Sequence, residues 1–424
     1  MTVPTERRRV VYNRWFHDRR FIVSNPVRGK SFTPGLIALA TLLASVTCFG
    51  QSYTLTTVAG AGFSSAPLPA PAVNEGLDDD AGVAVDSAGN IYFGGGIDNV
   101  VYKISGGILS VVAGTVGSSG YSGDGGPATS ALLNNPQGVA VDSSGNLYIV
   151  DYLNYVIRKV SDGTITTIAG NGSYGPPVNG PATATPMYTP IGIAVDGNKN
   201  VYVGVGSAGG YIVKIANGTL TIVAGIGQEG TVTSGGSALA QPVVAPHFLS
   251  VDAAGNVYIS GDNGYILRLN IGPGTIDVVA GNGAGMFSGD GGPATNAGLT
   301  AYGVAVDSAG NIFIADTGNG RIREVSNGVI NTIAGGDKTG SSCSSTPVAG
   351  SSAYINNPAG IAVSGSNVYF GAASCIQQLT GATTSGPPSV KSGGIISASS
   401  FGAFTAVAPS SWIEIYGSNL AAPT

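Results

Sequence analysis

Short apolar segments recur along this chain at a nearly constant interval. Residues 53–60 read YTLTTVAG, and five further octapeptides of the same type follow at spacings of 54, 56, 55, 56 and 54 residues. Each copy alternates apolar and β-branched residues loosely and ends in a small Ala-Gly pair, as β-strands do. The fixed period indicates a repeat architecture. The further copies are GILSVVAG (107–114), GTITTIAG (163–170), GTLTIVAG (218–225), GTIDVVAG (274–281) and GVINTIAG (328–335).

A second apolar run recurs with the same period and ends in a turn sequence. It reads GVAVDSAGN at 82–90, and related segments start at residues 138, 192, 248, 303 and 360. Gly and Asn tolerate the positive φ angles of a tight hairpin. Two more short β-type segments follow each turn, for example LYIV and YVIRKVS in the second unit. Each unit therefore contains four short antiparallel strands followed by a loop of about 20 residues, and no long helical periodicity interrupts this all-β pattern.

Six such units predict a six-bladed β-propeller at residues 51–380, because four-stranded blades must pack against one another to cover both apolar faces. The sixth unit contains the first three strands but no octapeptide after them, whereas the octapeptide at 53–60 has no unit of its own. We therefore expect the strand at 53–60 to complete the last blade and close the ring. Loop-closure entropy grows slowly with length, so a closure between the two ends of the repeat region is accessible.

The repeat unit resembles the NHL repeat. The pattern is legible at Pro136–Val160 and in part at Tyr302–Val325, and the loop motif SGDGGPAT (122–129 and 288–295) is similar to loops of secreted bacterial NHL proteins of acidobacterial type. The resemblance covers about 330 residues in six copies, which makes it more specific than a single motif. It implies a propeller fold but no single activity, since the family includes ligand-binding scaffolds and a few lyases.

The two ends of the chain differ from the repeats in composition. Residues 1–50 contain eight of the 18 Lys/Arg and end in the apolar run GLIALATLLASVTCFG (35–50), which is typical of a signal peptide and too short to span a membrane. Residues 381–394 are rich in Pro, Gly and Ser and read as a linker. Residues 395–424 resemble the first strands of an immunoglobulin-like C-terminal domain, of which only part is present.

Charge and cysteine content limit the cellular compartments and the classes of partner that fit this sequence. Beyond residue 50 the chain has 10 Lys/Arg and 21 Asp/Glu, a net charge of −11, which argues against nucleic acid and against an anionic membrane as partners. The same region contains Cys343 and Cys375, in two loop types that should emerge on the same face. An exported protein permits a disulfide between them, and the alternative is two free thiols.

The start of the innermost strand offers candidate ligand-binding residues. Aligning the units places Ala81, Gln137, Ile191, His247, Tyr302 and Ala359 around one mouth of the central channel. Gln137, His247 and Tyr302 would form a modest polar ligand site there, or they would simply plug the channel. One imidazole does not make a zinc site, which takes three or four nitrogen, sulfur or carboxylate ligands. We expect neither a metal nor an organic cofactor.

Recurring aspartates have structural and functional interpretations. The Asp that ends each first strand, such as Asp86, should cap the following turn, and the pairs Asp151/Asn154 and Asp316/Asn319 are also interpreted as turn caps. In SGDGGPAT, Pro127 and Pro293 would begin short helices. Asp124 and Asp290 lie in these Gly-rich loops. The alternative to a structural role is that the successive loop amides form an anion-binding nest, although the motif itself contains no Lys or Arg.

These observations predict an exported propeller, secreted or retained in the periplasm or at the cell surface, that binds a protein, a glycan or a small ligand through its loops. The alternative is an enzyme, a propeller lyase or a lactonase-like hydrolase with a metal in the channel. The mature chain has a single histidine, His247, and shows no Ser/His/Asp set and no Walker-type loop, so we favour the binding scaffold.

Overall fold

The protein is described here by a computed structural model. It describes residues 53–60, 68–74, 77, 82–207, 209–336, 339–340, 343–344 and 346–381, together with two short strands outside them. One compact unit is Gln51–Ser385. The other comprises Met1–Gly50 and Gly386–Thr424, where strands Arg8–Val10 and Ile415–Gly417 pair antiparallel. The predicted signal peptide, linker and immunoglobulin-like segment otherwise lie outside the described residues.

The unit Gln51–Ser385 is a ring of six antiparallel blades, each with four main strands in sequence order from the inside outward. The innermost strands are Val83–Val85, Pro136–Val141, Pro190–Val195, Pro246–Val251, Gly303–Val306 and Pro358–Ser364. The second strands are Ile91–Gly95, Leu147–Asp151, Val201–Val205, Val257–Gly261, Ile312–Asp316 and Asn367–Ala372. The third strands are Val100–Ser105, Val156–Ser161, Gly209–Ala216, Ile266–Asn270, Arg321–Ser326 and Cys375–Thr380. The outer strands are Ile108–Gly114, Thr164–Ala169, Thr219–Ala224, Thr275–Ala280, Val329–Gly335 and, in blade six, Thr54–Ala59.

The N-terminal octapeptide closes the ring, as the sequence predicts. Strand Thr54–Ala59 pairs antiparallel with the third strand of blade six, with Leu55 opposite Leu379. Apolar clusters lie between all neighbouring blades, and the one between blades six and one contains Ala59 together with Phe93. The prediction of a six-bladed propeller closed by this strand is therefore confirmed.

Most blades carry a fifth, two-residue strand that the sequence did not indicate. Each interblade loop first crosses the outer edge of the blade it enters, and it pairs there with the start of the outer strand. For example, Gly180–Pro181 pairs with Thr219 and Leu220. The other edge strands are Ala70–Pro71, Gly236–Ser237, Gly292–Pro293 and Val348–Ala349, and in blade two Pro127 makes a single bridge to Thr164. These loops cover strand edges that would otherwise invite pairing with other chains.

Short 3₁₀ helices follow the edge strands, and two more lie within connections between a second and a third strand. They are Ala72–Asn74, Ala128–Ser130, Tyr152–Asn154, Ala182–Ala184, Ala238–Ala240, Ala294–Asn296, Thr317–Asn319 and Gly350–Ser352. Pro127 and Pro293 precede two of them at the cap position, so the prediction that these prolines occupy the first helical position is wrong by one residue. Each proline has extended φ and ψ angles, so it takes part in the strand pairing at the outer edge of the blade instead. Strand Val243–Val244 also pairs with Gly209 and Gly210. Within the described residues, no helix is long and apolar enough to cross a bilayer.

The glycine that ends each octapeptide is required for steric reasons. Gly114 has a φ of 89°, and a Cβ on it would collide with the backbone carbonyl of Asn99. Gly60 has a φ of 86° and would collide with the carbonyl of Ser374 in the same way. Glycine is the residue that accepts both the positive φ and the close approach, so each outer strand ends tightly against the connection between the second and third strands.

The strand directions give the ring two different faces. Hairpins between the first two strands and turns between the last two form one side, which we call the turn face. The other side, which we call the loop face, is formed by the connections between the second and third strands together with the ends of the interblade loops. The loop face is therefore the irregular one, on which the candidate residues lie.

Candidate functional site

A phenylalanine reaches across the central channel. Five of the six innermost strands have Gly at the matched position, such as Gly82, whereas blade four has Phe248. The Phe248 ring lies so close to Gly82, in the opposite blade, that a Cβ there would be 2.9 Å from its Cε1 atom. Phe248 is 7% exposed. The channel is therefore filled by an apolar ring, which the sequence signalled through the single large residue in a column of glycines.

The three predicted mouth residues do not converge. His247 stacks on Tyr302 with ring centroids 3.8 Å apart, and His247 Nε2 lies 2.7 Å from Asp262 Oδ1. Gln137 instead uses its Nε2 to donate to Asn135 Oδ1 at 2.8 Å. The structure thus brings together His247 and Tyr302 and adds Asp262, which sequence reasoning missed because it lies in a different connection. Ala81 lies outside the described residues.

This arrangement does not supply a metal centre. Among the described residues, no group of three His, Cys, Asp or Glu side chains is close enough to bind a metal ion. His247 and Asp262 make one nitrogen and one carboxylate, fewer than a catalytic zinc ion takes. The Tyr302 ring also contacts the Phe248 ring, with ring centroids 5.9 Å apart.

The aspartates of the first hairpins act as turn caps, as the sequence predicts. Asp142 Oδ1 accepts hydrogen bonds from the Ser144 and Asn146 amides, each at 2.9 Å, and its Oδ2 accepts from Asn146 Nδ2 and the Tyr148 hydroxyl. Burial raises the pKa of Asp142, but the hydrogen bonds from Asn146 and its neighbours outweigh burial, so the pKa lies below its ordinary value. Burial and the charge of Asp196 raise the pKa of Tyr202 to about 12.

The pair Asp151/Asn154 has a larger role than the predicted turn cap. No side-chain cap bond forms at Asp151. Its carboxylate is fully buried, accepts from the Asn134 amide at 2.7 Å and lies 3.2 Å from Nη1 of the buried Arg158. Burial raises the pKa of Asp151, and hydrogen bonds from Asn154 and Asn134 oppose that rise. Asn154 Nδ2 does donate to Asp151 Oδ2 across the turn at 2.9 Å, so the predicted pairing within the turn is present, and the same carboxylate also pairs a buried arginine.

The Asp residue of SGDGGPAT belongs to the same ion-pair network. Arg158 Nη2 donates to Asp124 Oδ1 at 2.9 Å and to the Ser122 carbonyl. In blade five Arg323 Nη2 donates to Asp290 Oδ1 at 2.7 Å, and its Nη1 lies 3.6 Å from the buried Asp316. An arginine from the third strand thus satisfies each loop carboxylate. This contact supports the structural interpretation of both loops over an anion-binding nest.

Blade six carries the disulfide and a nearby cavity. Cys343 and Cys375 are bonded, with Cα atoms 5.9 Å apart, which links the interblade loop to the third strand of the last blade. A cavity of about 200 Å³ lies beside it, and the described residues of its lining, which include Ser344, Tyr354 and Gln377, are all uncharged.

Exposed apolar side chains collect on the connections of the loop face and in the interblade loops. Met286 is 83% exposed and Ile97 is 77% exposed. Tyr174 is 60% exposed and contacts two further rings, Tyr155 at a centroid distance of 5.5 Å and Tyr188 at 5.0 Å. We call these three residues the tyrosine patch. Sequence reasoning missed it because Tyr155 is distant in sequence from the other two.

Comparisons with known proteins agree with this architecture. Residues 114–178 match the model of the Teneurin NHL domain, and residues 302–324 match the NHL repeat. The chain is similar to human (Homo sapiens) Teneurin-1, with 29% identity over 242 residues, which is 49% of this chain and 8% of that protein. It is also similar to chicken (Gallus gallus) Teneurin-1, with 42% identity over 69 residues, 15% of this chain and 2% of that protein. The chain thus spans a small fraction of the length of these relatives.

Solved structures of low sequence identity share the fold. A structural genomics protein of unknown function from Bacteroides thetaiotaomicron superposes with a TM-score of 0.57 and 14% identity, covering 77% of this chain and 76% of that chain. An auxiliary nutrient binding protein from the same organism gives a TM-score of 0.54 and 16% identity, covering 78% and 76%. Together, the matched repeats and the closed ring of six antiparallel blades fit an NHL-repeat β-propeller.

Proposed function

We propose that this propeller is a binding scaffold that engages its partner through the loop face. The observation that carries the proposal is the distribution of exposed apolar side chains. The two most exposed large apolar residues in the described part of the chain are Met286 and Ile97. Ile97 lies in a connection between a second and a third strand, and Met286 precedes Phe287, whose amide donates to Asn319 in another such connection. Exposed apolar groups of this kind, set in loops on a rigid framework, are typical of interaction surfaces.

The filled channel favours this function over the alternative of a channel enzyme. A lyase or a lactonase-like hydrolase with an axial metal needs open space and several convergent ligands at the axis. Here Phe248 reaches across to the opposite blade, and His247 makes its contacts with Tyr302 and Asp262. The partner class, a protein, a glycan or a small ligand, then depends on loop chemistry.

We also propose that the protein works outside the cytoplasm. The disulfide between Cys343 and Cys375 supports this location, because such bonds persist in oxidising compartments. N-terminal sequencing of the protein recovered from its natural source should find a chain that begins near residue 51. Recovery of the intact basic N-terminus from the soluble cytosolic fraction would contradict export.

The loop-face proposal is tested with two variants of matched chemistry. The double variant Ile97→Ser and Met286→Ser removes two strongly exposed apolar groups from the loop face, whereas Ile108→Ser changes an exposed residue on the turn face. Partners captured by wild-type protein on a glycan array and in a pull-down should be lost or weakened for the double variant and retained by Ile108→Ser. Equal binding by all three proteins would refute use of the loop face.

A further inference from the structure

We infer that the tyrosine patch is a binding platform for a neutral polysaccharide. This inference rests on the proposed function and narrows it to one site and one ligand class. Tyr174 lies between the other two rings, at interplanar angles of 64° to Tyr155 and 57° to Tyr188. The flanking rings are half-buried, whereas Tyr174 is 60% exposed. One ring is thus held by two others and presented to solvent.

The hydroxyl groups of the patch are not used by the fold. None of the three phenols makes a hydrogen bond to another described residue. By contrast, the hydroxyls of Tyr148 and Tyr202 donate to hairpin aspartates, and that of Tyr121 bonds to Thr167. A ligand at the patch therefore meets aromatic faces and free donor and acceptor groups side by side. Sugar rings carry apolar C–H faces and hydroxyl groups in the same arrangement.

The loop that carries Tyr174 and Tyr188 contains no charged residue, which favours a neutral ligand. The segment from Gly163 to Val195 contains no Asp, Glu, Lys or Arg, although the chain beyond residue 50 is strongly acidic. The loop at 171–189 is the one interblade loop of the six whose sequence has no charged residue. This loop offers no counter-charge to a charged ligand, whereas an uncharged polymer needs none.

The loop is held in place before a ligand binds. The Met187 amide donates to the Ser173 carbonyl at 3.1 Å, and Asn171 Oδ1 accepts from the Ser173 amide at 3.0 Å. The Met187 side chain is fully buried beneath the loop. An ordered loop loses little conformational entropy on binding, so a shallow platform can still give useful affinity.

The experiment uses the full chain in native affinity electrophoresis and calorimetry. Probes are the neutral polymers laminarin, soluble starch, xyloglucan and galactomannan, the anionic polymer polygalacturonate, and poly-L-proline. We expect at least one neutral polymer to bind, and Tyr174→Ala to weaken its Kd by about tenfold through loss of the stacking ring. Tyr174→Phe should retain most of the affinity. Tyr121→Ala is the matched control, because Tyr121 is 53% exposed in another interblade loop.

Salt provides an independent readout. Raising NaCl from about 0.05 M to about 0.5 M should leave the Kd for a neutral polymer almost unchanged, since no ion pair contributes. The proposal is overturned by lack of binding to all four neutral polymers, by binding of polygalacturonate or poly-L-proline alone, or by equal affinities for wild type and Tyr174→Ala. Binding that is lost in the double variant of the loop face but unchanged in Tyr174→Ala would refute the patch and leave the scaffold function standing.

Discussion

The substitution Leu55→Ala tests whether the closing strand is as firmly integrated as the outer strands of other blades. Leu55 is the third residue of the N-terminal octapeptide, is 3% exposed and pairs with Leu379. Leu220 holds the same position in blade three, is fully buried and pairs with Ile215. The two leucines thus have matched positions, but Leu55 also lines the blade-six cavity and belongs to a strand whose Thr56 contacts a partner 322 residues away.

Truncation of either leucine should cost about 3 kcal/mol of unfolding free energy, because a buried Leu→Ala change loses both transfer free energy and packing around the cavity. In a unit of this size that corresponds to a fall in Tm of about 4 °C. The large closure entropy is already included in the stability of the wild-type ring, so it should not reduce the effect at Leu55. The side chain of Thr54 is exposed, so Thr54→Ala should change stability by less than about 0.5 kcal/mol.

The assay is differential scanning calorimetry with guanidinium titration at one protein concentration. Matching losses for Leu55→Ala and Leu220→Ala would show that the closing strand unfolds together with the ring. If Leu220→Ala lowers Tm by the expected amount while Leu55→Ala leaves it within 1 °C of the wild type, a value well below the roughly 4 °C expected, then the strand detaches before global unfolding and the reasoning fails.

Three further changes test the buried groups. Arg158→Met should cost about 3–5 kcal/mol by stranding the buried Asp151, whereas Asp124→Asn, at a 44% exposed partner, should cost at most about 1 kcal/mol; similar losses on guanidinium titration would contradict the network. Burial raises the pKa of Glu324 above its ordinary value of 4.5, although a hydrogen bond from Tyr53 opposes that rise. The wild type should therefore lose stability relative to Glu324→Gln as pH rises from 4.5 towards neutrality. Parallel plots of Tm against pH for the two proteins would exclude this. Phe248→Ala should cost about 3–5 kcal/mol by emptying the channel, and an unchanged guanidinium midpoint would mean that the ring does not fill it.

The buried arginines illustrate why some site chemistry could not be predicted from the sequence. Arg158 and Asp151 are seven residues apart, on strands whose pairing the repeat made evident. Their full burial, and the third partner Asp124 from the preceding loop, depend on how that loop crosses the blade edge. Loop paths are set by packing against a neighbouring blade, which local propensity does not encode.

The repeat pattern alone determined the number of blades, the order of strands and closure by residues 53–60. These features follow from period-two alternation, turn residues and counting, all of which are local properties. It also determined that Asp142 caps its hairpin, because the capped amides lie within four residues. The filling of the channel by Phe248 and the assembly of Tyr155, Tyr174 and Tyr188 were decided by the tertiary structure. Phe248 meets a residue of the opposite blade, and the three tyrosines come from a connection and an interblade loop, so both arrangements are fixed only when these segments pack together.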